Sequence, residues 1–257
     1  MIKHKKYDFI YSIGADCACA MYMNKFHLRR ASGPFDWLTH APFKTRIDLI
    51  LNDFADFLNM DDMRFLAKEP NMFNDEKCDY YENTTHGLRF YHDFPVGQPF
   101  GQTFPSVYEK YSRRIARFYD NIEKHNRVLL IWYAQAYNTP DNVILDLCNK
   151  VCKKFNKQID FIIIEHDESM PRNKIETRQI ADNIVRHAVY AFDDATPTLG
   201  NYRLIDKVFS KIRIRGKIQA IVRTRVVKFV MRFLSLFIPS RKMRHDFRKT
   251  ISKWARI

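Results

Sequence analysis

Runs of apolar residues alternate with amphipathic segments along most of the chain. The runs are rich in β-branched and aromatic residues, which is typical of buried strands, and the segments between them repeat apolar residues at helical spacing. Strands are predicted at 7–13, 88–91, 127–133, 160–164 and 188–192, and helices at 17–27, 42–58, 105–122, 140–155, 175–185 and 198–212. The polar segment 59–81 has weak periodicity, and we expect a long irregular excursion there.

Continuous apolar strands separated by helices indicate a mostly parallel sheet that is covered on both faces. The sequence therefore predicts a three-layer α/β domain over residues 1–210, followed by a separate tail over residues 211–257. In such sheets, ligands bind beyond the carboxyl ends of the strands. The residues that follow each strand are accordingly the first candidates for a functional site.

Charge separates the tail from the rest of the chain. The tail holds 15 of the 43 Lys and Arg residues but only one of the 29 acidic residues, Asp246, so the whole formal charge of +14 falls within it. An excess of this kind favours a polyanionic partner. The 46% hydrophobic content is enough to fill a core and excludes disorder as the main state.

Two further features bear on location and cofactors. The first residues contain no cleavage site of the signal-peptide kind, and five cysteines without a framework spacing favour a reducing compartment, so we expect a cytoplasmic protein. No Gly-rich phosphate loop is present, and Cys17 and Cys19 are too close for a zinc half-site. No cofactor or metal is therefore expected.

Cys17 ends the motif Ser12-Ile-Gly-Ala-Asp-Cys17, which places a thiol just after a strand and at the start of a helix. Unpaired backbone N–H groups and the positive end of the helix would lower the pKa of such a thiol and could stabilise an oxyanion. The motif makes Cys17 the candidate nucleophile. A small structural cysteine in a strand–helix corner is the alternative.

His92 is the candidate general base, because it follows a predicted strand in Phe90-Tyr-His-Asp-Phe-Pro95. Either Asp93 or Asp36 could orient its ring. Asp36 lies between two aromatic residues in Ser32-Gly-Pro-Phe-Asp-Trp37, where a buried carboxylate needs a partner. A half-buried loop histidine is the alternative interpretation of His92.

Three more residues are candidates for substrate binding. Trp37 is adjacent to the candidate acid Asp36, and Arg113 and Arg114 could bind an anionic group. Charges on a helix surface are the commoner outcome for two such arginines.

Together these motifs resemble an uncharacterised bacterial family whose members are described as papain-like cysteine peptidases. The residues that carry the resemblance are Ser-Ile-Gly-x-x-Cys17, Leu28-Arg, Ser32-x-Pro-Phe-Asp-Trp37, Asn52-Asp-Phe54, Phe90-x-His-Asp-Phe94 and Tyr111-x-Arg-Arg114. Many members are similar to proteins encoded among cell-surface polysaccharide genes. The resemblance implies Cys17 as nucleophile, His92 as base and Asp36 or Asp93 as third member. A cysteine directly after a first strand departs from papain-like enzymes and looks more like esterase-type α/β hydrolases.

Three functions remain open at this point. The first is a cysteine-dependent hydrolase or acyl transferase that acts on a glycan, acyl or peptidyl substrate near the membrane in surface-polysaccharide assembly. The second is a glycosyltransferase or sugar-binding protein of the same pathway in which Cys17 is structural. The third is an assembly factor with a degenerate site.

The sequence of the tail indicates a membrane surface as its partner. An amphipathic helix is expected over 222–237, with an apolar face beside a basic one, as in helices that lie in a membrane interface. The membrane-binding residues would be Arg225, Lys228, Phe229, Arg232 and Phe233. An apolar face has no role in nucleic-acid binding, which disfavours that partner, and a core helix with a solvated tail is the alternative. The sequence thus predicts peripheral association with anionic lipid at the inner face of the cytoplasmic membrane.

Overall fold

The computed structural model describes residues 5–70 and 77–216, with single positions between 230 and 244. The strands are β1 (Lys6–Tyr7), β2 (Phe9–Ser12), β3 (Leu38–Thr39), β4 (Met63–Pro70), β5 (Lys77–Asn83), β6 (Leu88–Pro95), β7 (Val128–Ala134), β8 (Asp160–His166), β9 (Ile175–Ala181), β10 (Ile184–Val189) and β11 (Arg213–Ile214). The helices are α1 (Cys17–Lys25), α2 (Phe43–Leu51), α3 (Phe100–Lys124), α4 (Asp141–Lys154) and α5 (Tyr202–Phe209).

The central sheet has the strand order β2-β7-β8-β10-β9, and its first four strands are parallel. Successive residues of its strands point into different cores. Leu130 and Trp132 of β7 pack with residues of α2, α3 and α4, whereas Ile131 and Tyr133 pack with residues of α1 and α5. The prediction of an α/β fold with a mostly parallel sheet between helices is therefore confirmed.

A second sheet, with the order β3-β6-β5-β4, is antiparallel. The expected irregular excursion over 59–81 was wrong, because β4 and β5 occupy most of it. Residues 63–68 of β4 are exposed or half-buried, β5 buries the polar residues Asp79, Glu82 and Asn83, and bulges interrupt the pairing, so these strands lack the continuous apolar runs of the central sheet. β6 also continues past Tyr91, so His92 and Asp93 lie within a strand rather than after one.

The helix predicted at 175–185 was also wrong, since this segment forms the hairpin of β9 and β10. Asp182 and Asn183 form its two-residue turn, for which these residue types are favoured. β9 is an edge strand with an exposed, polar middle, so its sequence has no apolar run. The strand predicted at 188–192 begins earlier, at Ile184, and ends at Val189.

The end of the described chain returns to its beginning. β11 pairs in parallel with β1, and the amide of Arg215 donates to the carbonyl oxygen of Tyr7 at 2.8 Å, past the predicted boundary at residue 210. The amphipathic helix predicted at 222–237 lies almost wholly outside the described residues, as do Arg225, Lys228, Phe229 and Arg232. Phe233 is described, and its side chain is 54% exposed. Within the described part of the chain, no helix has both the length and the apolar character needed to cross a membrane.

Candidate active site

The chain turns from β2 into α1 over residues 12–17, which we call the elbow. The amide of Ala15 donates to the carbonyl oxygen of Tyr133 at 3.0 Å, which keeps the elbow paired with β7. A Cβ atom at Gly14 would lie 2.7 Å from the Cβ of Cys19, so a side chain there would force α1 away from the sheet. Asp16 caps α1, because its carboxylate accepts from the amide of Ala18 at 2.8 Å. Cys17 is therefore the first residue of the helix, at the carboxyl end of the parallel sheet.

The thiol of Cys17 is covered, with the residue only 4% exposed. Burial and the neighbouring Asp16 carboxylate raise the pKa of Cys17 to about 12. The expectation of a lowered thiol pKa was therefore wrong for this conformation. Burial outweighs the helix end, and one first-turn amide, that of Ala18, is already bonded to Asp16. Burial also raises the pKa of Asp16 itself, to about 6.

Three other cysteines, Cys19, Cys148 and Cys152, are buried or half-buried in the core. Cys19 is fully buried and its sulfur donates to the carbonyl oxygen of Ile131 at 3.6 Å, while the sulfur of Cys152 accepts from the amide of Ile159 at 3.5 Å. Burial raises the pKa of Cys148 well above its usual value. In the described ranges, no three His, Cys, Asp or Glu side chains are grouped so that they could hold a metal ion. Cys17 thus differs from Cys19, Cys148 and Cys152 in its position and not in a lower pKa.

Arg46 lies beside the elbow and was not predicted from the sequence. It is fully buried, and its Nη2 atom donates to the carbonyl oxygens of Ala15 at 2.8 Å, Leu38 at 3.2 Å and His40 at 2.7 Å. Burial lowers the pKa of Arg46 to about 10, so the guanidinium stays charged at neutral pH. A signal was present, since Arg46 shares the apolar face of α2 with Phe43, Ile47 and Ile50.

His92 lies in a bulge of β6. The pairing of β5 with β6 moves from Tyr81↔Phe90 to Asp79↔Phe94, so β6 contains two extra residues opposite Tyr80. The half-buried ring of His92 meets Trp37 edge-on, with 5.6 Å between ring centroids. Bulges commonly re-aim side chains next to functional sites.

The elbow and the His92 bulge are connected through β3. Leu38, whose carbonyl oxygen accepts from Arg46, pairs with Phe90 of β6, two residues before His92. The same Arg46 nitrogen holds the elbow at Ala15. The fold therefore brings the segments of Cys17 and His92 to the same region, and direct contact between the two side chains stays a prediction.

The two candidate acids have different partners. The carboxylate of Asp36 is 1% exposed and accepts from Nε of Arg29 at 2.7 Å and from the amide of Gly33 at 2.9 Å. Asp93 forms an ion pair with Lys110 and accepts from the hydroxyl of Tyr111 at 3.0 Å. Asp36 thus holds the turn before Trp37, and Asp93 holds β6 against α3. A role for either in orienting His92 stays a prediction.

The predicted substrate-binding residues Trp37, Arg113 and Arg114 each have different contacts. Arg113 is exposed on α3 and forms an ion pair with Glu109 of the same helix. Arg114 lies over the ring of Tyr111, 5.2 Å from its centroid, and the hydroxyl of that tyrosine donates to Asp93. The guanidinium of Arg29 lies 5.8 Å from the ring centroid of Trp37. Anion binding by Arg113 and Arg114 stays a prediction.

His40 is a second histidine near the elbow that the motifs did not single out. Its Nε2 accepts from Nη1 of Arg89 at 2.8 Å, so its proton is assigned to Nδ1, which faces the hydroxyl of Thr39 at 3.1 Å. Partial desolvation and the Arg89 charge lower the pKa of His40. Its backbone has a φ of 61°, which is uncommon for a residue other than glycine.

Comparison with known proteins places these features in a family context. A family model described as "Putative papain-like cysteine peptidase (DUF1796)" matches residues 8–169, a segment that contains the elbow, Arg46 and β6. A curated protein of Acanthamoeba polyphaga mimivirus, "Uncharacterized protein R408", is 28% identical over 133 residues. The match covers 47% of this chain and 59% of the viral protein. No solved structure matches the chain significantly.

Proposed function

The chain belongs to this family, and on that premise we propose that it is a cysteine-dependent hydrolase or acyl transferase with Cys17 as nucleophile. The observation that carries the proposal is the position of Cys17. It begins α1 at the carboxyl end of a parallel sheet, where ligands of such sheets bind. The close approach at Gly14 and the contacts of Arg46 hold this position in place.

Because the Cys17 thiol is buried and protonated at rest, its reaction requires a base. With a pKa of about 12, roughly one Cys17 in 10⁵ would be thiolate at neutral pH, so the resting site holds a thiol. A base must then take the proton while the sulfur attacks the carbonyl carbon. We assign this role to His92. The protonated imidazole returns the proton to the leaving group, and water or an acyl acceptor releases the acyl group from the thioester.

The proposal is tested with p-nitrophenyl acetate, a small acyl donor that requires no knowledge of the natural substrate. We expect a burst of one p-nitrophenolate per chain and an acetyl group on Cys17, located by peptide mass spectrometry. Cys17→Ala abolishes the burst in this account. The matched control is Cys19→Ala, which removes a buried thiol from the same helix and keeps the burst. An undiminished burst in Cys17→Ala rejects the proposal.

A second candidate function is favoured by the cover over Cys17. A residue that is 4% exposed, with a raised pKa, is also what a structural cysteine would show. The chain would then be a glycosyltransferase or a sugar-binding protein. Titration with a nucleotide sugar such as UDP-glucose separates the two functions, because binding without any acetyl adduct on Cys17 supports the second.

For location, we propose that the tail attaches the protein to anionic lipid at the inner face of the cytoplasmic membrane during surface-polysaccharide assembly. The support is the sequence alone, namely the concentration of the net charge in residues 211–257. The test is sedimentation of the full chain with phosphatidylglycerol vesicles. Changing Arg225, Lys228 and Arg232 to Glu should release it, whereas the same change at Lys44, Lys150 and Lys153, which are exposed on α2 and α4, should not. Equal pelleting of both variants contradicts the proposal.

A further inference from the structure

One nitrogen of Arg46 connects two sheets. Its Nη2 atom donates to Ala15 in the elbow at the end of the parallel sheet, and to Leu38 in β3 of the antiparallel sheet. It also donates to His40, directly after β3. The elbow and the segment that carries His40 therefore share a single donor. Its acceptor in the elbow, Ala15, is two residues before Cys17 in the chain.

The rest of the guanidinium is poorly satisfied. Its Nε and Nη1 atoms are buried and have no hydrogen-bond partner among the residues that the structure describes. The rings of Phe35 and Trp132 lie 5.3 and 5.8 Å from the guanidinium carbon. Cation–π contacts with these rings offset part of the cost of burying the charge.

Stability alone does not account for such a residue. Two of its three guanidinium nitrogens are buried without a partner in the described part of the chain, which is costly, and a methionine would extend from α2 into the same space without that cost. The arginine differs from a methionine in what it holds, because only a donor can bind three carbonyl oxygens. What Arg46 adds over a methionine is therefore the set of hydrogen bonds between the elbow and β3.

We propose that Arg46 is a positioning residue that holds the elbow against β3 and thereby fixes the orientation and the covered state of the Cys17 thiol. The inference rests on the proposed function, since it gives Arg46 a role toward the nucleophile. It predicts opposite changes when Arg46 is lost. Cys17 becomes more accessible to a small reagent, and its reaction with an acyl donor becomes slower because its placement relative to the base is lost.

The experiment follows the alkylation of Cys17 by iodoacetamide against pH, with mass spectrometry of the Cys17 peptide and the half-buried Cys152 as internal reference. In Arg46→Met we expect the midpoint to fall toward that of an ordinary thiol and labelling at pH 8 to accelerate about tenfold, since each pKa unit changes the thiolate fraction tenfold. Acetylation by p-nitrophenyl acetate should fall in the same variant. Arg46→Lys, which keeps a charged donor, should lie between Arg46→Met and the natural chain.

Arg186→Met is the matched control. Arg186 is also buried, lies on β10 at the same end of the sheet and donates to a loop carbonyl oxygen, that of Thr139, at 2.8 Å. Its loss should leave the Cys17 profile unchanged. The proposal is overturned if Arg46→Met leaves the profile unchanged, or if Arg186→Met moves it equally.

Two provisions keep the result interpretable. Circular dichroism establishes that each variant folds. Arg46→Gln replaces Arg46→Met, and Arg186→Gln replaces Arg186→Met, if the methionine variant does not fold. Alkylation by iodoacetamide needs neither substrate nor base. A shifted profile with no acetylation of Cys17 in any variant, the natural chain included, would therefore reject the proposed function while the role of Arg46 in placing the elbow stands.

Discussion

Two buried arginines lie at the carboxyl end of the parallel sheet, and their surroundings differ. Arg186 is surrounded by oxygen atoms and forms ion pairs with Glu165 at 3.0 Å and Asp141 at 2.5 Å. Glu165 in turn accepts from the indole of Trp132 and from the amide of Thr139, both at 2.9 Å. Arg46 meets carbonyl oxygens, and the acid whose charge acts most on it is Asp16.

The difference separates a structural network from a candidate active site. Around Arg186 and Glu165, ion pairs and hydrogen bonds satisfy most of the polar atoms, and they fix the loop between β7 and α4. Burial raises the pKa of Glu165, and Nε of Arg186 is the one guanidinium nitrogen of this residue without a partner among the described residues. Around Arg46 a charge is buried with two nitrogens unpaired within the described ranges, and it bonds the elbow, in which the pKa values of the Cys17 thiol and the Asp16 carboxylate are both raised. Perturbed groups that are not balanced locally are more typical of functional sites than of structural ones.

The largest effect is expected at the balanced network. Arg186→Met leaves Glu165 without its charged partner, and we expect a loss of about 3–5 kcal/mol in the free energy of unfolding. Adding Glu165→Gln should recover part of that loss, because no buried carboxylate is then left uncompensated. Urea denaturation of the single and double variants measures both. A single variant within about 1 kcal/mol of the natural chain would mean that this network contributes no more than a surface pair.

The next effect concerns Gly200, in the loop between β10 and α5. Gly200 has a φ of +69°, and a Cβ atom there would lie 2.3 Å from the carbonyl oxygen of Ala191 and 2.4 Å from the hydroxyl of Tyr133. Gly200→Ala should cost about 2–4 kcal/mol through strain and overpacking. Gly87→Ala, with a similar φ of +65° and open space, should cost about 1 kcal/mol. Thermal unfolding compares them, and equal costs would show that the loop moves aside freely.

A smaller effect is expected at the elbow itself. The pKa of Asp16 is raised from 3.8 to about 6, so the folded state binds more protons than the unfolded state between these values. This group therefore lowers the stability of the fold as pH rises from about 4 to 6. Asp16→Asn keeps the helix cap and should gain about 1 kcal/mol over the natural chain at pH 7, with no gain at pH 4.

Urea denaturation at pH 4 and pH 7 measures this difference. Removal of the Asp16 charge should also lower the pKa of Cys17, by less than the loss of burial would, because burial is the larger of the two causes. If Asp16→Asn raises the free energy of unfolding equally at both pH values, the pKa of Asp16 is not raised by burial and this prediction is wrong.

Sequence pattern predicted the parts of the fold in which burial is simple. β7 and β8 are buried on both faces and read as continuous apolar runs. The edge hairpin of β9 and β10 and the bulged strands β4 to β6 lack such runs. Polar residues are interspersed along them, exposed in β9 but buried at Asp79, Asp93 and Arg186, and bulges interrupt the alternation of side chains.

The site divides in the same way. The Gly14 to Cys17 motif predicted the elbow, because a tight strand–helix corner is a local feature. Arg46 and His40 could not be found by spacing, since their contacts join segments that are far apart in the chain. The charge on the apolar face of α2 was the one local sign of Arg46. Burial of the Cys17 thiol depends on everything packed around the elbow, so the direction of its pKa shift could not be predicted from the helix end alone.

The central claim is that Cys17 rests as a covered thiol and reacts with the help of a base. The measurement that tests it most directly is the rate of Cys17 acetylation by p-nitrophenyl acetate as a function of pH, for the natural chain and for His92→Gln. The account predicts that the rate rises to a plateau far below the thiol pKa, and that His92→Gln removes the plateau. A rate that climbs without a plateau toward the thiol pKa of about 12, unchanged in His92→Gln, would contradict it.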